Sequence, residues 1–214
     1  MKRPFPIINV GALAVMAAAA CATATQQSTS PSPAAPAPAD TSRSTYTAAD
    51  VHFMTGMIHH HAQAVVMASW APTHGASQAV RAMCERIVVG QRDEIVLMER
   101  WLRERGEPVP DTGAHDMMPG MDHSTMMPGM LSAEQMAQLD RARGREFDRL
   151  FLTLMIQHHQ GAITMVDRLF GSQGGGENEP VFRIASDVYA DQTTEIDRMQ
   201  KMLAALLFEG RGPS

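Results

Sequence analysis

The sequence predicts an all-α fold, an antiparallel four-helix bundle built from two copies of one helical hairpin. Three observations support this prediction. One block of residues recurs 98 positions along the chain, and a second block recurs 101 positions along it. The repeated positions follow the period of an α-helix, and the alternation that is typical of strands is absent. Two duplicated hairpins are expected to pack with approximate two-fold symmetry.

The repeat includes thirteen identities in register, with one three-residue shift between the blocks. The first block pairs Asp50, Phe53, Met57, Ile58, His60, His61, Ala64 and Met67 with Asp148, Phe151, Met155, Ile156, His158, His159, Ala162 and Met165. The second block pairs Gln91, Glu94, Ile95, Met98 and Leu102 with Gln192, Glu195, Ile196, Met199 and Leu203. So many matches indicate a duplication.

Helix-capping signals place the predicted helices along the chain. Thr47 with Asp50, and Ser132 with Gln135, have the spacing of capping boxes, while proline and glycine residues supply the ends. The predicted helices cover roughly residues 47–71, 76–105, 132–170 and 179–208.

The N-terminal segment predicts export. Residues 1–21 carry two basic residues, an apolar run and small residues before Cys21, which is typical of a secretory signal peptide. Cys21 is the expected lipidation site of a bacterial lipoprotein; ordinary cleavage into the periplasm and an uncleaved anchor are the alternatives. Residues 22–45 predict a disordered Ala/Ser/Thr/Pro tether, which leaves one helical domain at residues 46–209. We expect a location in the periplasm or outer cell envelope.

The composition excludes several classes of protein. With 18 basic and 23 acidic residues, the net charge of −5 disfavours nucleic-acid binding. Two cysteines cannot form a disulfide framework, and the single apolar stretch near membrane length is N-terminal, so membrane contact is expected only through a lipid anchor. Eighteen methionines and nine histidines instead favour soft, neutral metal ligands.

Apart from Ile58, the repeated residues named for the first block lie on one helix face, within about 120° of arc. This face carries His60, His61, His158 and His159, with Met57 and Met155 at helical spacing from them, whereas His52 and His59 lie opposite. Imidazole and thioether together suit copper, as Cu(I) or Cu(II). The polar residues of the second block are predicted to orient the ring nitrogens: Gln91, Glu94, Gln192 and Glu195. The alternative is a purely structural role for these residues as core histidines and methionine filler.

The loop at residues 106–131 contains the pentapeptide Met-Met-Pro-Gly-Met twice. Because proline and glycine oppose a helix here, we expect these methionines to be exposed ligands for Cu(I), with Ag(I) as a surrogate, and not a core stripe. The candidate ligands are His115, Met117, Met118, Met121, His123, Met126, Met127 and Met130. A linker that docks on an apolar surface is the alternative. Cys84 is expected to be a small core residue, with a copper-binding or redox role as the alternative.

The duplicated Asp-x-x-Phe-x-x-x-Met-Ile-x-His-His-x-x-Ala-x-x-Met pattern, with the Gln-x-x-Glu-Ile-x-x-Met-x-x-x-Leu pattern after it, resembles the bacterial family known as domain of unknown function 305. The resemblance covers about residues 46–208 and implies an exported, ferritin-like helical domain, linked in some members to copper binding and resistance. It also implies that Met57, His60, His61, Met67, Met155, His158, His159 and Met165 are ligands. The family has no assigned activity, so the resemblance does not establish a function.

Three functions follow as hypotheses. The first is a non-enzymatic envelope protein that sequesters or transfers copper, with the metal ion, other envelope copper-handling proteins and further copies of itself as candidate partners. The second is a ferritin-like dinuclear metal oxidase, although the Glu-x-x-His spacing of such sites is absent from the sequence. The third is a structural bundle lipoprotein, which requires each of the four histidines to be hydrogen-bonded and closed to metal.

Overall fold

The computed structural model describes residues 46–111 and 127–209. Over these ranges the chain forms α-helices and no strand, so the all-α prediction is confirmed. The helices are α1 (Ala48–Ser69), α2 (Gln78–Glu104), α3 (Ala133–Arg141), α4 (Gly144–Phe170) and α5 (Glu179–Glu209). The predicted signal peptide, the lipidation site Cys21 and the tether lie outside the described residues. No helix in the described ranges combines the length and apolarity needed to cross a membrane.

The predicted capping boxes begin two of these helices. The Thr47 hydroxyl accepts a hydrogen bond from the Asp50 amide at 3.2 Å, and the Asp50 carboxylate accepts one from the Thr47 amide at 2.7 Å. Ser132 and Gln135 form the same reciprocal pair at the start of α3. Each box satisfies backbone donors that have no partner inside the helix, which fixes where the helix begins.

The prediction of one continuous helix over residues 132–170 is wrong. The chain leaves the helical conformation at Ala142 and Arg143, which are extended, and re-enters it at Gly144 with a positive φ of 56°. A tertiary contact anchors the break, because the Gly144 amide donates to the carbonyl of His74 at 2.8 Å. The His74 ring in turn donates to the Asp140 carbonyl at 2.8 Å. The loop after α1 therefore divides the predicted third helix into α3 and α4.

The four long helices pack as the repeat predicts. Helix α1 contacts α2, and α4 contacts α5, which are the two hairpins; α1 also contacts α4, and α2 contacts α5. These are the neighbours expected of a four-helix arrangement, with the short α3 placed against α1 and α4. The buried side chains form two apolar clusters, one around Phe147 and Phe151 and one around Phe53 and Trp101.

The repeated aspartates join the two hairpins. Asp50 in α1 accepts a hydrogen bond at 2.7 Å from the amide of Gly176, in the turn before α5. Asp148, its equivalent in α4, accepts from the amide of Ser77 at 3.2 Å, at the start of α2. Each aspartate therefore binds the turn of the opposite hairpin. These buried carboxylates explain two of the repeated residues by structure alone.

Candidate metal site

Four buried imidazoles form a row across the contact between α1 and α4. The ring centroids of His61 and His60 are 6.5 Å apart, those of His60 and His158 are 3.8 Å apart, and those of His158 and His159 are 6.2 Å apart. All four side chains have no solvent exposure. We call these four residues the histidine row. The helical spacing predicted that they share inward faces, and the structure brings the two halves of the duplication into contact at His60 and His158.

The two ends of the row are built identically. The Nε2 of His61 donates to the Oε2 of Glu94 on α2 at 2.7 Å, and the Nε2 of His159 donates to the Oε2 of Glu195 on α5 at 2.7 Å. A carboxylate accepts a hydrogen bond from a ring N–H, so in the neutral imidazole the lone pair resides on Nδ1. Neither Nδ1 has a hydrogen-bond partner. The glutamates thus leave one donor atom free on each ring.

The two central rings differ from each other. The Nε2 of His60 donates to the carbonyl of Pro128 at 3.0 Å, and its Nδ1 has no partner. His158 has no partner of hydrogen-bond geometry on either ring nitrogen, although the main chain of His60 lies near enough to influence its charge. A buried polar group without a partner costs roughly 1–3 kcal/mol, so these nitrogens need an explanation.

Burial favours the neutral form of His60, His158 and His159. It lowers the pKa of His60 to about 3, with a smaller contribution from the neighbouring His61. Burial also lowers the pKa of His158 well below its usual range, and the nearby His60 lowers it further. For His159, burial lowers the pKa even though the hydrogen bond to Glu195 raises it. A metal ion binds the lone pair of a neutral imidazole, so burial prepares the rings for coordination.

The two glutamines of the repeat are buried, but the predicted orienting of a ring nitrogen is not seen for Gln91, because neither of its amide atoms has a hydrogen-bond partner. Gln91 and Gln192 are 3% and 1% exposed, and buried oxygen or nitrogen atoms of both amides have no hydrogen-bond partner. Glu94 also keeps one buried oxygen, Oε1, without a partner. The interior between the hairpins therefore contains more polar atoms without a hydrogen-bond partner than is usual in a protein core.

The four methionines of the first repeat block are core residues. Met57, Met67 and Met155 are fully buried and Met165 is 9% exposed, and all four belong to the two apolar clusters. Across the described ranges, no group of three or more His, Cys, Asp or Glu side chains is placed to hold a metal ion.

The methionine-rich loop is described at residues 106–111 and 127–131. The candidate ligands that lie outside the described residues are His115, Met117, Met118, Met121, His123 and Met126. For the two that are described, the expectation of exposure is wrong: Met130 is 7% exposed and Met127 is half-buried against the cluster around Phe53. The second Met-Met-Pro-Gly-Met copy thus ends in a packed segment, which we call the docked segment (residues 127–131).

Two positions that the sequence reasoning missed hold the docked segment in place. Gln63 exchanges two hydrogen bonds with the backbone of Leu131, at 2.8 and 3.0 Å. Gly161 lies so close to the segment that a Cβ there would come within 2.0 Å of the Pro128 carbonyl oxygen. These residues occupy equivalent repeat positions, 98 apart. Gln63 and Gly161 are one of several mismatched pairs in this block, so the sequence alone did not single them out.

The single described cysteine is a core residue, as expected. Cys84 is 2% exposed and belongs to the apolar cluster around Phe147. Burial raises the pKa of its thiol to about 12, and the negative charge of Asp148 adds to this effect. A thiol in this state is a poor nucleophile and a poor metal ligand, because both roles require the thiolate.

Comparison with known proteins confirms the resemblance seen in the sequence. The family model of domain of unknown function 305 (DUF305) matches residues 50–203. A DUF305 fragment from Deinococcus radiodurans is 30% identical; the match covers 74% of this chain and 97% of that one, with a TM-score of 0.63. A DUF305 protein from Streptomyces coelicolor, assigned as secreted, is 27% identical over 74% of this chain and 93% of that one, with a TM-score of 0.61.

The chain is also similar to CopM, whose structures include forms bound to Cu(II), Cu(I) and Ag. The Cu(II)-bound form is 26% identical over 73% of this chain and 96% of that one, with a TM-score of 0.60. CopM is therefore a structural relative that has been seen with copper and silver bound. We found no significant match among curated proteins.

Proposed function

This chain belongs to the DUF305 family, and we propose on that basis, together with the histidine row, that it binds copper outside the cytoplasm and sequesters or transfers it. The observation that carries the proposal is the meeting of His60 and His158 at 3.8 Å, buried, with three of their four ring nitrogens unpartnered. The binding of Cu(I), Cu(II) and Ag by CopM, a structural relative, supports the choice of metal.

The geometry suits a single soft ion between the two hairpins. Imidazole nitrogens bind transition metals at about 2.0–2.1 Å, so two nitrogens on one ion lie within about 4 Å of each other. Rings whose centroids are 3.8 Å apart can meet that limit with small side-chain movements. Met57 and Met155, one helical turn before the two histidines, are the thioethers proposed to complete the set. Met67 is a further candidate from the repeat, whereas Met165 lines a separate cavity between α1 and α4.

The glutamates are proposed to act through the outer rings. A carboxylate that accepts the N–H of a ligating imidazole fixes the ring and makes its other nitrogen more basic. The pairs His61–Glu94 and His159–Glu195 have this arrangement at 2.7 Å in both copies. The methionine-rich loop, from His115 to Met130, is proposed to capture Cu(I) or pass it on. Export, and lipidation at Cys21, are proposed from the N-terminal sequence and from the secreted relative.

Titration with Cu(I) against a competing chelator tests the proposal. The wild-type chain should bind at least one equivalent, and His60→Ala/His158→Ala should lower the affinity at least about tenfold, as for the loss of ligand-shell groups. Met202→Leu, a half-buried methionine far along α5, is the matched control and should bind as wild type does. If the double variant unfolds, ¹⁵N spectra of the wild-type histidines replace it: Cu(I) should move the Nδ1 resonances. Unmoved resonances would contradict the proposal.

A dinuclear metal oxidase is the second candidate, because the two His–Glu pairs are buried, duplicated and oriented alike. Iron loading without oxygen, followed by exposure to air, separates the two functions. An oxidation absorbance in stoichiometric yield that Glu94→Ala abolishes would favour the oxidase. The structural-scaffold alternative expects a hydrogen bond at every imidazole, and His158 provides none of standard geometry.

A further inference from the structure

A second set of soft donors lies outside the histidine row, around a cavity of about 340 Å³. Three elements form its walls: the first half of α1, the docked segment and the second half of α4. Each wall contributes one soft side chain, namely His52, Met127 and Met165. His52 faces away from the repeated stripe and is exposed, so the sequence pattern gave no reason to group it with the methionines.

A glycine makes room for the two thioethers. A Cβ placed on Gly56 would lie 3.2 Å from the Met165 methyl carbon and 3.6 Å from the Met127 sulfur. The ends of the two methionines therefore lie over one point, at most about 6.8 Å apart, the sum of those distances. His52 precedes Gly56 by one helical turn, so its ring projects from the same face of α1. All three donors border the same cavity, and methionine side chains are flexible enough to turn toward an ion inside it.

The chemistry of the cavity favours a monovalent ion. Thioether sulfur prefers Cu(I) and its analogue Ag(I), and imidazole accepts either copper oxidation state. Arg168 also lines the cavity, and its positive charge repels a divalent ion twice as strongly as a monovalent one. We propose that His52, Met127 and Met165 form an outer binding site for Cu(I), separate from the histidine row.

The outer site is joined to the row by a single residue. Pro128 lines the cavity next to Met127, and its carbonyl accepts the hydrogen bond from the Nε2 of His60. An ion held outside is thus separated from the buried rings by the backbone of the docked segment. The outer site rests on the proposed function, because it is proposed to hold an ion before that ion reaches the row.

Titration of the full chain with Ag(I), with the methionine methyl groups labelled with ¹³C, tests the site. The methyl resonances of Met127 and Met165 should move with the first equivalent. The variant His52→Ala/Met127→Leu/Met165→Leu should lose one equivalent or bind it at least about tenfold more weakly. Met202→Leu should bind as wild type does. Since leucine resembles methionine in volume, the fold is expected to survive these substitutions.

The outcomes separate the two proposals. If Cu(I) moves the histidine Nδ1 resonances while the methyl groups of Met127 and Met165 stay unmoved, the row stands and the outer site is refuted. If the methyl groups move and the histidines do not, the outer site stands and the row is refuted. A triple variant with wild-type stoichiometry and affinity also refutes the outer site.

Discussion

The substitution Gly161→Ala tests how the docked segment reaches the histidine row. In an exposed helix, replacing glycine by alanine stabilises by about 1 kcal/mol, because glycine loses more backbone entropy on folding. At position 161 the added Cβ would lie 2.0 Å from the Pro128 carbonyl oxygen and 2.5 Å from the Gly129 Cα. Both partners are backbone atoms, so no side chain can rotate to relieve the overlap.

The cost follows from the movement that the overlap forces. An ordinary contact begins near 3.4 Å, so the Pro128 carbonyl must retreat by more than 1 Å. That retreat breaks its 3.0 Å hydrogen bond with His60, which is worth about 0.5–1.5 kcal/mol. Overpacking of a close contact adds about 1–3 kcal/mol. Against the helix gain of about 1 kcal/mol, we expect a net loss of about 1–3 kcal/mol.

Thermal and urea unfolding of matched variants provide the assay. Gly90→Ala is the control, because Gly90 is an exposed glycine of α2 with nothing within 4 Å of an added Cβ. We expect Gly161→Ala to lower the Tm by about 2–4 °C per kcal/mol lost, and Gly90→Ala to raise it by a few degrees. Equal stabilisation of both variants would refute the docking of Pro128 against α4.

Three further predictions concern single buried groups. At pH 8, Cys84 should be alkylated about 10³-fold more slowly in the folded chain than in the unfolded one, because burial raises the pKa of its thiol to about 12. Mass spectrometry of the peptide that contains Cys84 measures the two rates, and equal rates would contradict this prediction. Asp148→Ala should lower the free energy of unfolding by about 1–3 kcal/mol by leaving the Ser77 amide without its acceptor, and an unchanged urea midpoint would refute that contact. Glu195→Ala should weaken Cu(I) binding about 10–100-fold in competition with a chelator. If the variant binds Cu(I) as tightly as the wild type does, Glu195 does not orient a ligand.

Much of the histidine row was predictable because residues that stay identical in both copies of a duplication mark the positions where the fold or the site restricts change. Residues on the outer face of a helix change freely between copies, so the identities at His60 and His158 marked the inward face before any coordinates existed. The expectation that Glu94 partners an inward imidazole followed from the same logic, since a buried carboxylate needs a partner. Periodicity could not predict which histidines would touch, because that depends on how the hairpins pack.

Asymmetric features escaped the sequence reasoning. The break between α3 and α4 depends on a hydrogen bond from the Gly144 amide to the distant His74 carbonyl. The charged residues around Arg143 give no sign of this contact. Met130 was expected to be exposed because proline and glycine surround it, yet tertiary contacts bury it. The docked segment depends on Gly161, a small residue whose importance is set by what lies against it. Helix propensity and periodicity describe one segment at a time, and these features involve two.

The central claim is that imidazoles from both halves of the molecule hold one copper ion together. Crystals of the full chain grown with Cu(I), and diffraction recorded at the copper absorption edge, test it most directly. We predict an anomalous peak between His60 and His158, within bonding distance of one ring nitrogen from each. Copper located only at surface residues, with no copper between the rings of His60 and His158, would contradict this proposal.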